Sequence, residues 1–326
     1  MCGGKMQHFT VSDNQAGQRL DKLLFKYLNK APKSFIYKML RKKNITLNGK
    51  KAKGSEIVDM GDQIKLFLSD ETIAKFTEEL EAYIVDKEFQ IVYEDNNILV
   101  VNKPAGLLSQ KADARDVSLN EQIISYLLTS NKLSKSDLQT FKPSICNRLD
   151  RNTSGLIIAG KTLASLQIIS KLFRGRSLDK YYLSIVTGHL KENIKVSGYL
   201  LKDESNNRVT VIDHKTDASD EFSMEYEPLS HVDGYTLVKI KLITGRTHQI
   251  RAHLASIGHP VLGDYKYGNR KVNDIFKRKY NLKYQLLHSW KIIFPDIAGE
   301  LNYLSGKCLE AEPTRNFTKI QRDLFG

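Results

Sequence analysis

Cysteine is scarce: Cys2, Cys146 and Cys308 are the only thiols in 326 residues. Three cysteines so scattered make neither a disulfide framework nor the paired spacing of a zinc site, so reduced thiols and no metal are expected. Long apolar runs are missing too. The longest aliphatic stretches, such as "ILVV" (98–101) and "LIIA" (156–159), are far too short to cross a bilayer or to form a signal-peptide core. A cytoplasmic protein without membrane attachment is the expectation. The chain carries neither a Walker P-loop nor a dinucleotide fingerprint, so no nucleotide cofactor is expected. It also lacks an extended heptad, and a monomer is expected.

What is present is positive charge. The net charge is +13, with 41% hydrophobic and 27% charged residues, the balance of a soluble globular protein with a polyanionic partner. The charge is unevenly spread. Residues 1–70 hold 14 Lys and Arg against 6 Asp and Glu, so eight of the thirteen net charges sit in about a fifth of the chain. The next stretch, 71–88, reverses to six acids against two bases. Together with a length that favours two domains, this sign change predicts a basic domain over 1–70, an acidic linker over 71–88 and a second domain with a C-terminal tail over 89–326.

Within the basic region, Leu20, Leu23, Leu24 and Leu28 fall at helical spacing, and Asp21 occupies the first turn, where a carboxylate suits the helix dipole. A second amphipathic helix follows, with Phe35, Ile36, Met39 and Leu40 inward and Lys33, Lys38, Arg41, Lys42 and Lys43 facing solvent. "ITLNGKK" then reads as a strand, an Asn48-Gly49 turn and a basic return. The lysines collected on one side suit a nucleic-acid backbone. Residues 17–68 resemble the αL RNA-binding module named after ribosomal protein S-four, which implies contact with structured RNA through shape and phosphate.

Beyond residue 89, strand-like segments ("ILVV", "KYYLSIVTG", "NRVTVI", "YTLVKIKLI") predominate over helical ones ("SLNEQIISYLL", "TLASLQIISKLF") without regular alternation. The fold class expected is α+β, a mainly antiparallel mixed β-sheet. "NRLDRNTSG" (147–155) sets Asp150 in a polar loop just before the apolar strand "LIIA", where Gly155 permits close backbone approach or an unusual dihedral. The same Arg-Leu-Asp tripeptide occurs at 19–21, where the helical setting makes it structural, so the surroundings and not the tripeptide decide what each copy does. In "GRTHQIRAHLASIGHPVLGD" (245–264), Thr247 is a candidate helix cap, and His248 and Arg251 lie one turn apart. His248 and His253 are five apart, which disfavours metal chelation along a helix. The glycines and Pro260 that follow predict an irregular loop with Tyr265 and Tyr267 as cleft walls.

These segments together resemble the RluA-type pseudouridine synthases, particularly the RluC- and RluD-like members acting on large-subunit rRNA with the αL module in front. The resemblance rests on "YEDNNILVVNKPAG" (93–106), "RLDRNTSGLIIAGK" (148–161), "KYYLSIVTG" (180–188), "TGRTHQIRAHLASIGHPVLGD" (244–264) and "LLHSW" (286–290), in family order. It implies a cofactor-free isomerase with the pseudouridine synthase fold that turns uridine into its carbon-linked isomer after flipping it from its stem. It further implies Asp150 as the catalytic aspartate, Tyr182 as the active-site tyrosine, Arg251 as the basic partner, Arg148 as the residue filling the gap left by the flipped base, and Leu287 against the uracil. A guanidinium within roughly 4 to 6 Å of a carboxylate favours its ionised form. Two departures stand out: Asn147 replaces the family's usual His, and "LLSQKADARDVSLN" (107–120) differs from the usual pattern. The rival readings are a tRNA pseudouridine synthase and a non-catalytic RNA-binding or ribosome-assembly protein. A nucleoside hydrolase is weaker, because the motifs offer no second catalytic carboxylate.

Overall fold

The computed structural model describes residues 7–12, 14–78, 84–113 and 115–326. The N-terminal region is built from β1 (Gln7–Thr10), α1 (Leu20–Tyr27), α2 (Lys33–Arg41), β2 (Ile45–Leu47), β3 (Lys50–Lys51), β4 (Gln63–Leu66) and α3 (Asp70–Phe76). Its four strands pair antiparallel in the order β1-β4-β2-β3. Asn48 and Gly49 both adopt positive φ, 52° and 73°, the backbone that a tight β2–β3 hairpin demands. The four leucines of the first helical stripe are completely buried, against Ile36, Met39 and Leu40 of α2. The acidic stretch from residue 71 is not uniform. Ser69 caps α3 by accepting the Thr72 amide, Asp70 and Glu71 fill its first turn, and Ile73 is buried in the N-terminal core. Of the linker expected over 71–88, residues 79–83 lie outside the described residues, and Val85 and Glu88 hydrogen-bond to Ser125 and Gln122.

The second region runs through β5 (Gln90–Glu94), β6 (Ile98–Lys103), α4 (Leu119–Thr129), α5 (Lys135–Leu138), β7 (Ser144–Ile145), β8 (Ser154–Gly160), α6 (Leu163–Arg174), β9 (Asp179–Thr187), β10 (Ile194–Asp203) and β11 (Arg208–Ile212). It continues with β12 (Ser219–Val232), β13 (Tyr235–Leu242), α7 (Gln249–Ser256), α8 (Arg270–Tyr280), β14 (Leu287–Ile293), a 3₁₀ turn (Gly299–Leu304), β15 (Cys308–Glu310) and α9 (Arg315–Phe325). Its 11-stranded sheet has the order β11-β10-β12-β13-β9-β14-β8-β6-β5, with β15 beside β14 and β7 beside β8. Every pairing is antiparallel except β8 with β14, so the α+β class with a mainly antiparallel mixed sheet is what the chain forms.

The short apolar runs find their explanation here. In β6, Leu99 and Val101 enter one core while Ile98 and Val100 enter another; in β8, Ile157 and Ala159 divide from Leu156 and Ile158 in the same way. A strand covered on both faces needs no polar alternation. The first core packs against α4 and α7, the second against α6 and the 3₁₀ turn. The single parallel joint, β8 with β14, brings the loop before β8 next to the start of β14, and there the polar residues converge.

Candidate active site

Between Asn147 and Ser154 the chain is clamped on nearly every side. The Thr153 amide donates to the Asp150 carbonyl at 3.0 Å, closing a turn around the carboxylate. Ser109 Oγ donates to the Leu149 carbonyl (2.7 Å) and accepts the Leu149 amide (3.1 Å). Gln285 Nε2 donates to Thr153 Oγ1 at 2.8 Å, and the Ser154 hydroxyl lies 2.8 Å from His288 Nδ1. His288 Nε2 donates to the Ala311 carbonyl, so Nδ1 is the acceptor for Ser154; burial pushes this imidazole down to about 4. Gly155 has φ +117°, and a Cβ there would lie 2.2 Å from the Ser289 carbonyl oxygen. Both reasons for glycine at this position, dihedral and close approach, hold at once.

Lys103, at the end of β6, completes the clamp. Its side chain is fully buried, and Nζ donates to the carbonyls of Pro104, Leu107 and Arg151 at 2.9, 2.8 and 3.1 Å. Burial pushes its ammonium down to about 7, with the Asp150 carboxylate opposing the shift. In the sequence Lys103 stands before Pro104 at the end of a strand-like run, and nothing local signals that it will be enclosed by carbonyls from its own following turn and from the Asp150 loop.

Asp150 itself remains partly open, its side chain 27% exposed. Arg251 Nη1 donates to its Oδ2 at 2.7 Å. The rest of that guanidinium is held by buried Asp264, with Nε to Oδ2 at 2.7 Å and Nη2 to Oδ1 at 3.0 Å. Burial opposes the charge on Arg251, but the two carboxylates outweigh it and raise its pKa above the ordinary arginine value. Asp264 is thus an anchor that sequence reasoning missed; the Gly-Asp pair at 263–264 was its only local cue.

The helix carrying Arg251 starts differently from expectation. Thr247 is not its cap: α7 begins at Gln249, with His248 at the N-cap in the left-handed conformation (φ 52°, ψ 14°) and no side-chain cap. Gln249 Oε1 instead accepts from the Arg246 amide and the Thr244 hydroxyl, tying down the preceding turn. His248 Nε2 then lies 3.8 Å from Asp150 Oδ2, and burial lowers the histidine's pKa. His253 is elsewhere, buried beside Phe222 and Tyr226 and without a hydrogen-bond partner among the described residues.

Tyr182, on β9, is 7% exposed and lines the same cleft; burial pushes its phenol up to about 12, with the Ser289 hydroxyl opposing the shift and Asp150 adding to it. Leu287 opens β14 and is buried against the cleft, and Arg148 stands exposed at its wall with no ion pair among the described residues. Asn147 spends both ends of its amide on β8, donating to the Leu156 carbonyl (3.2 Å) and accepting the Ile158 amide (2.9 Å). At this position the side chain acts as an extra rung of sheet. The cleft has a volume of about 1140 Å³ and includes Lys111, Lys266 and Lys283 in its walls. Small-molecule pockets are usually about 300–1,000 Å³, so this one has room for a polymer segment. In the N-terminal region, Lys33, Lys38, Arg41, Lys42 and Lys43 are exposed on and after α2, none in an ion pair among the described residues. No group of three or more His, Cys, Asp or Glu suited to a metal occurs among the described residues, and no helix there is long and apolar enough to cross a membrane.

Comparison with known proteins agrees with this geometry. The profile of the RNA pseudouridylate synthase family matches residues 97–256, and that of the S4 domain matches residues 18–64. The chain is 29% identical over 324 residues to the ribosomal large subunit pseudouridine synthase C of Vibrio cholerae, covering 98% of each protein. It is 31% identical over 300 residues to the protein of that name from Haemophilus ducreyi (89% and 88% covered) and 31% identical over 298 residues to an RNA pseudouridine synthase of Mycoplasma genitalium (89% of each). Among solved structures, human RNA pseudouridylate synthase domain containing 4 superposes with a TM-score of 0.57 at 22% identity, over 71% of this chain and 91% of that one.

Proposed function

The chain belongs to the RNA pseudouridine synthase family and is an isomerase acting on RNA, and from that premise we propose that it converts uridines of large-subunit rRNA, with Asp150 as the reacting carboxylate. The rRNA preference rests on relatives of nearly the full length that bear that name. The observation that carries the catalytic assignment is the Arg251 fork: a buried guanidinium fixed by Asp264 presents its remaining nitrogen to a carboxylate open to the cleft.

In the isomerisation the N1–C1′ bond breaks, the uracil turns, and C5 bonds to C1′. The proton lost from C5 is matched by one gained at N1, so no cofactor is consumed. Asp150 meets the ribose–base junction. Tyr182 stands beside it as a wall and as proton carrier. With its phenol at about 12, the phenolate fraction at pH 7 is about 10⁻⁵, so the phenol takes the C5 proton in the same step in which it passes its own to N1, the atom that must gain one. Arg148, exposed at the cleft wall, fills the space vacated by the flipped base, and Leu287 packs on the uracil. Flipping costs a few kcal/mol, which phosphate contacts offset. The N-terminal cations Lys33, Lys38, Arg41, Lys42 and Lys43 offer one basic surface; Arg270, Lys271, Lys277 and Arg278 of α8, all exposed and outside any ion pair among the described residues, offer another beside Lys266 and Lys283. The protein works as a cytoplasmic monomer.

A hydrolase is disfavoured, because the other carboxylate of the cleft, Asp264, is 1% exposed and engaged by Arg251. The test uses unmodified large-subunit rRNA and tRNA transcripts carrying tritium at uridine C5. Wild-type protein should release tritium from the rRNA, and Asp150→Ala should bind it and release none. Release from tRNA alone would redirect the substrate assignment; release from neither would overturn the catalytic one.

A further inference from the structure

Tyr267, in the turn after Asp264, makes two hydrogen bonds through one oxygen. It accepts the Val209 amide at 2.7 Å and lies 2.9 Å from His248 Nδ1. A phenol has one proton to give, and among the described residues His248 Nδ1 is the acceptor within reach. Burial raises the pKa of Tyr267 and lowers that of His248, so both are neutral at pH 7. Nδ1 of a neutral imidazole that accepts leaves the proton on Nε2. Nε2 faces Asp150 Oδ2 at 3.8 Å. The opposite tautomer would set a lone pair against a carboxylate oxygen, so electrostatics at the far end of the ring favour the same answer independently.

The near end is attached to an edge of the architecture. Val209 belongs to β11, the outermost strand of the large sheet, paired only with β10 in that sheet. The hairpin between them is held over the cleft by Lys266, whose Nζ donates to the carbonyls of Asn206 and Asn207 at 3.0 and 2.6 Å. The Tyr267 ring sits between two guanidiniums, those of Arg208 on the hairpin and Arg251 in the site, each 5.1 Å from its centroid. Asp264 Oδ1 fixes the turn by accepting the amides of Lys266 and Tyr267.

We propose that Tyr267 is a positioning residue. Through its hydroxyl proton it holds His248 in the Nε2–H form facing Asp150, and through the Val209 amide it makes that setting depend on the seating of the β10–β11 hairpin. The N–H dipole directed at Asp150 orients the carboxylate alongside Arg251 and leaves its other oxygen free for the ribose. An RNA that displaces the hairpin therefore unsets the carboxylate, and one that fits under it keeps the site armed. The catalytic consequence rests on Asp150 being the reacting group; the tautomer does not.

The first test is nitrogen NMR of uniformly labelled full-length protein, with the His248 resonances identified by their loss in His248→Gln. The expected result is a protonated Nε2 and an unprotonated, hydrogen-bonded Nδ1. A proton on Nδ1 in the wild type would overturn the proposal while leaving the function reading intact. Tyr267→Phe should show a mixture of tautomers, faster exchange of the Val209 amide, and a kcat reduced about tenfold or more with KM changed far less. Unchanged tautomer and kcat in that variant would also overturn it. A rescue pair separates positioning from bulk: Gln at 248 keeps an amide donor near the Nε2 position and should retain most of kcat, whereas His248→Asn should lose it. If His248 carries its proton on Nε2 but the wild-type protein isomerises no RNA, the function reading falls and the tautomer assignment stands.

Discussion

The tripeptide Arg-Leu-Asp occurs twice in this chain, and the two copies teach opposite lessons. At 19–21 the arginine chelates its own aspartate: Arg19 Nε and Nη2 reach Asp21 Oδ1 and Oδ2 at 3.1 and 2.7 Å, Tyr37 donates to Oδ2 at 2.7 Å, and Asp21 is 1% exposed. Arg19 above all holds that carboxyl below its usual range. At 148–150 the arginine stands apart at the cleft wall, and Asp150 takes its cation from Arg251, 101 residues away. Its Oδ1 meets no donor among the described residues, and the side chain is 27% exposed. One carboxylate is fully used by the fold; the other is half held and half free, which is the condition for reacting with something from outside.

The sharpest way to break this comparison is to neutralise each aspartate. Asp150→Asn should reduce isomerisation by about 10⁴-fold or more with stability little changed. Asp21→Asn should leave kcat at saturating RNA intact and cost about 1–3 kcal/mol of stability, read by denaturant unfolding. Equal loss of activity in both would erase the distinction.

Replacing the two arginine partners probes the same contrast more gently. A lysine at 251 cannot serve Asp264 and Asp150 together, so Arg251→Lys should lower kcat by roughly 100-fold. At the half-exposed position 19, Arg19→Lys should leave the melting curve almost unmoved and leave kcat alone. Initial rates and melting curves on the pair decide this.

The support behind the Asp150 loop can be read through pH. The His288 imidazole, at about 4 in the folded state against about 6.5 unfolded, stays neutral while the unfolded chain takes up a proton. Its contribution is present above about pH 6.5 and is lost as pH falls toward 4, amounting to about 3 kcal/mol at most. His288→Gln should be less stable at pH 7.5 and show a flatter stability profile across that window.

The smallest expected effect on chemistry belongs to the N-terminal surface. Reversing Lys38, Arg41 and Lys42 to Glu should weaken RNA binding and lower the slope of log affinity against log salt by about 2 to 3, with kcat at saturation unchanged. A fall in kcat would mean that the two regions are not separable as binding and chemistry.

Local patterning made much of this architecture legible. Leucines three and four apart specified α1, the Asn48-Gly49 pair specified a hairpin, and "LIIA" identified a strand whose two faces are both covered. The Asp150 loop was recognisable because polar loop, glycine and apolar strand adjoin in sequence. Lys103, Ser109 and Asp264 escaped that reading for one reason, and Tyr267 was legible only as a cleft wall, not as the partner of His248. Each of the first three acts on a residue outside its own segment, from 13 positions away for Asp264 to 48 for Lys103, and none disturbs the periodicity of its own segment. Thr247 misled for a related reason: a hydroxyl before a helix is a good cap by type, but the left-handed turn at His248 makes His248 the N-cap, with no side-chain cap, and Gln249 ties down the turn before it.

The amino-acid sequence by itself determined the elements, the basic N-terminal surface and which residues have the chemistry to act, because spacing, side-chain type and net charge are properties of neighbours along the chain. Only the tertiary structure decided how much of each carboxylate the fold uses up. That depends on which cation arrives in three dimensions, at 2.7 Å from Asp150 through a fork pinned by Asp264, and Coulomb energies at such distances answer to position in space, not to position in sequence.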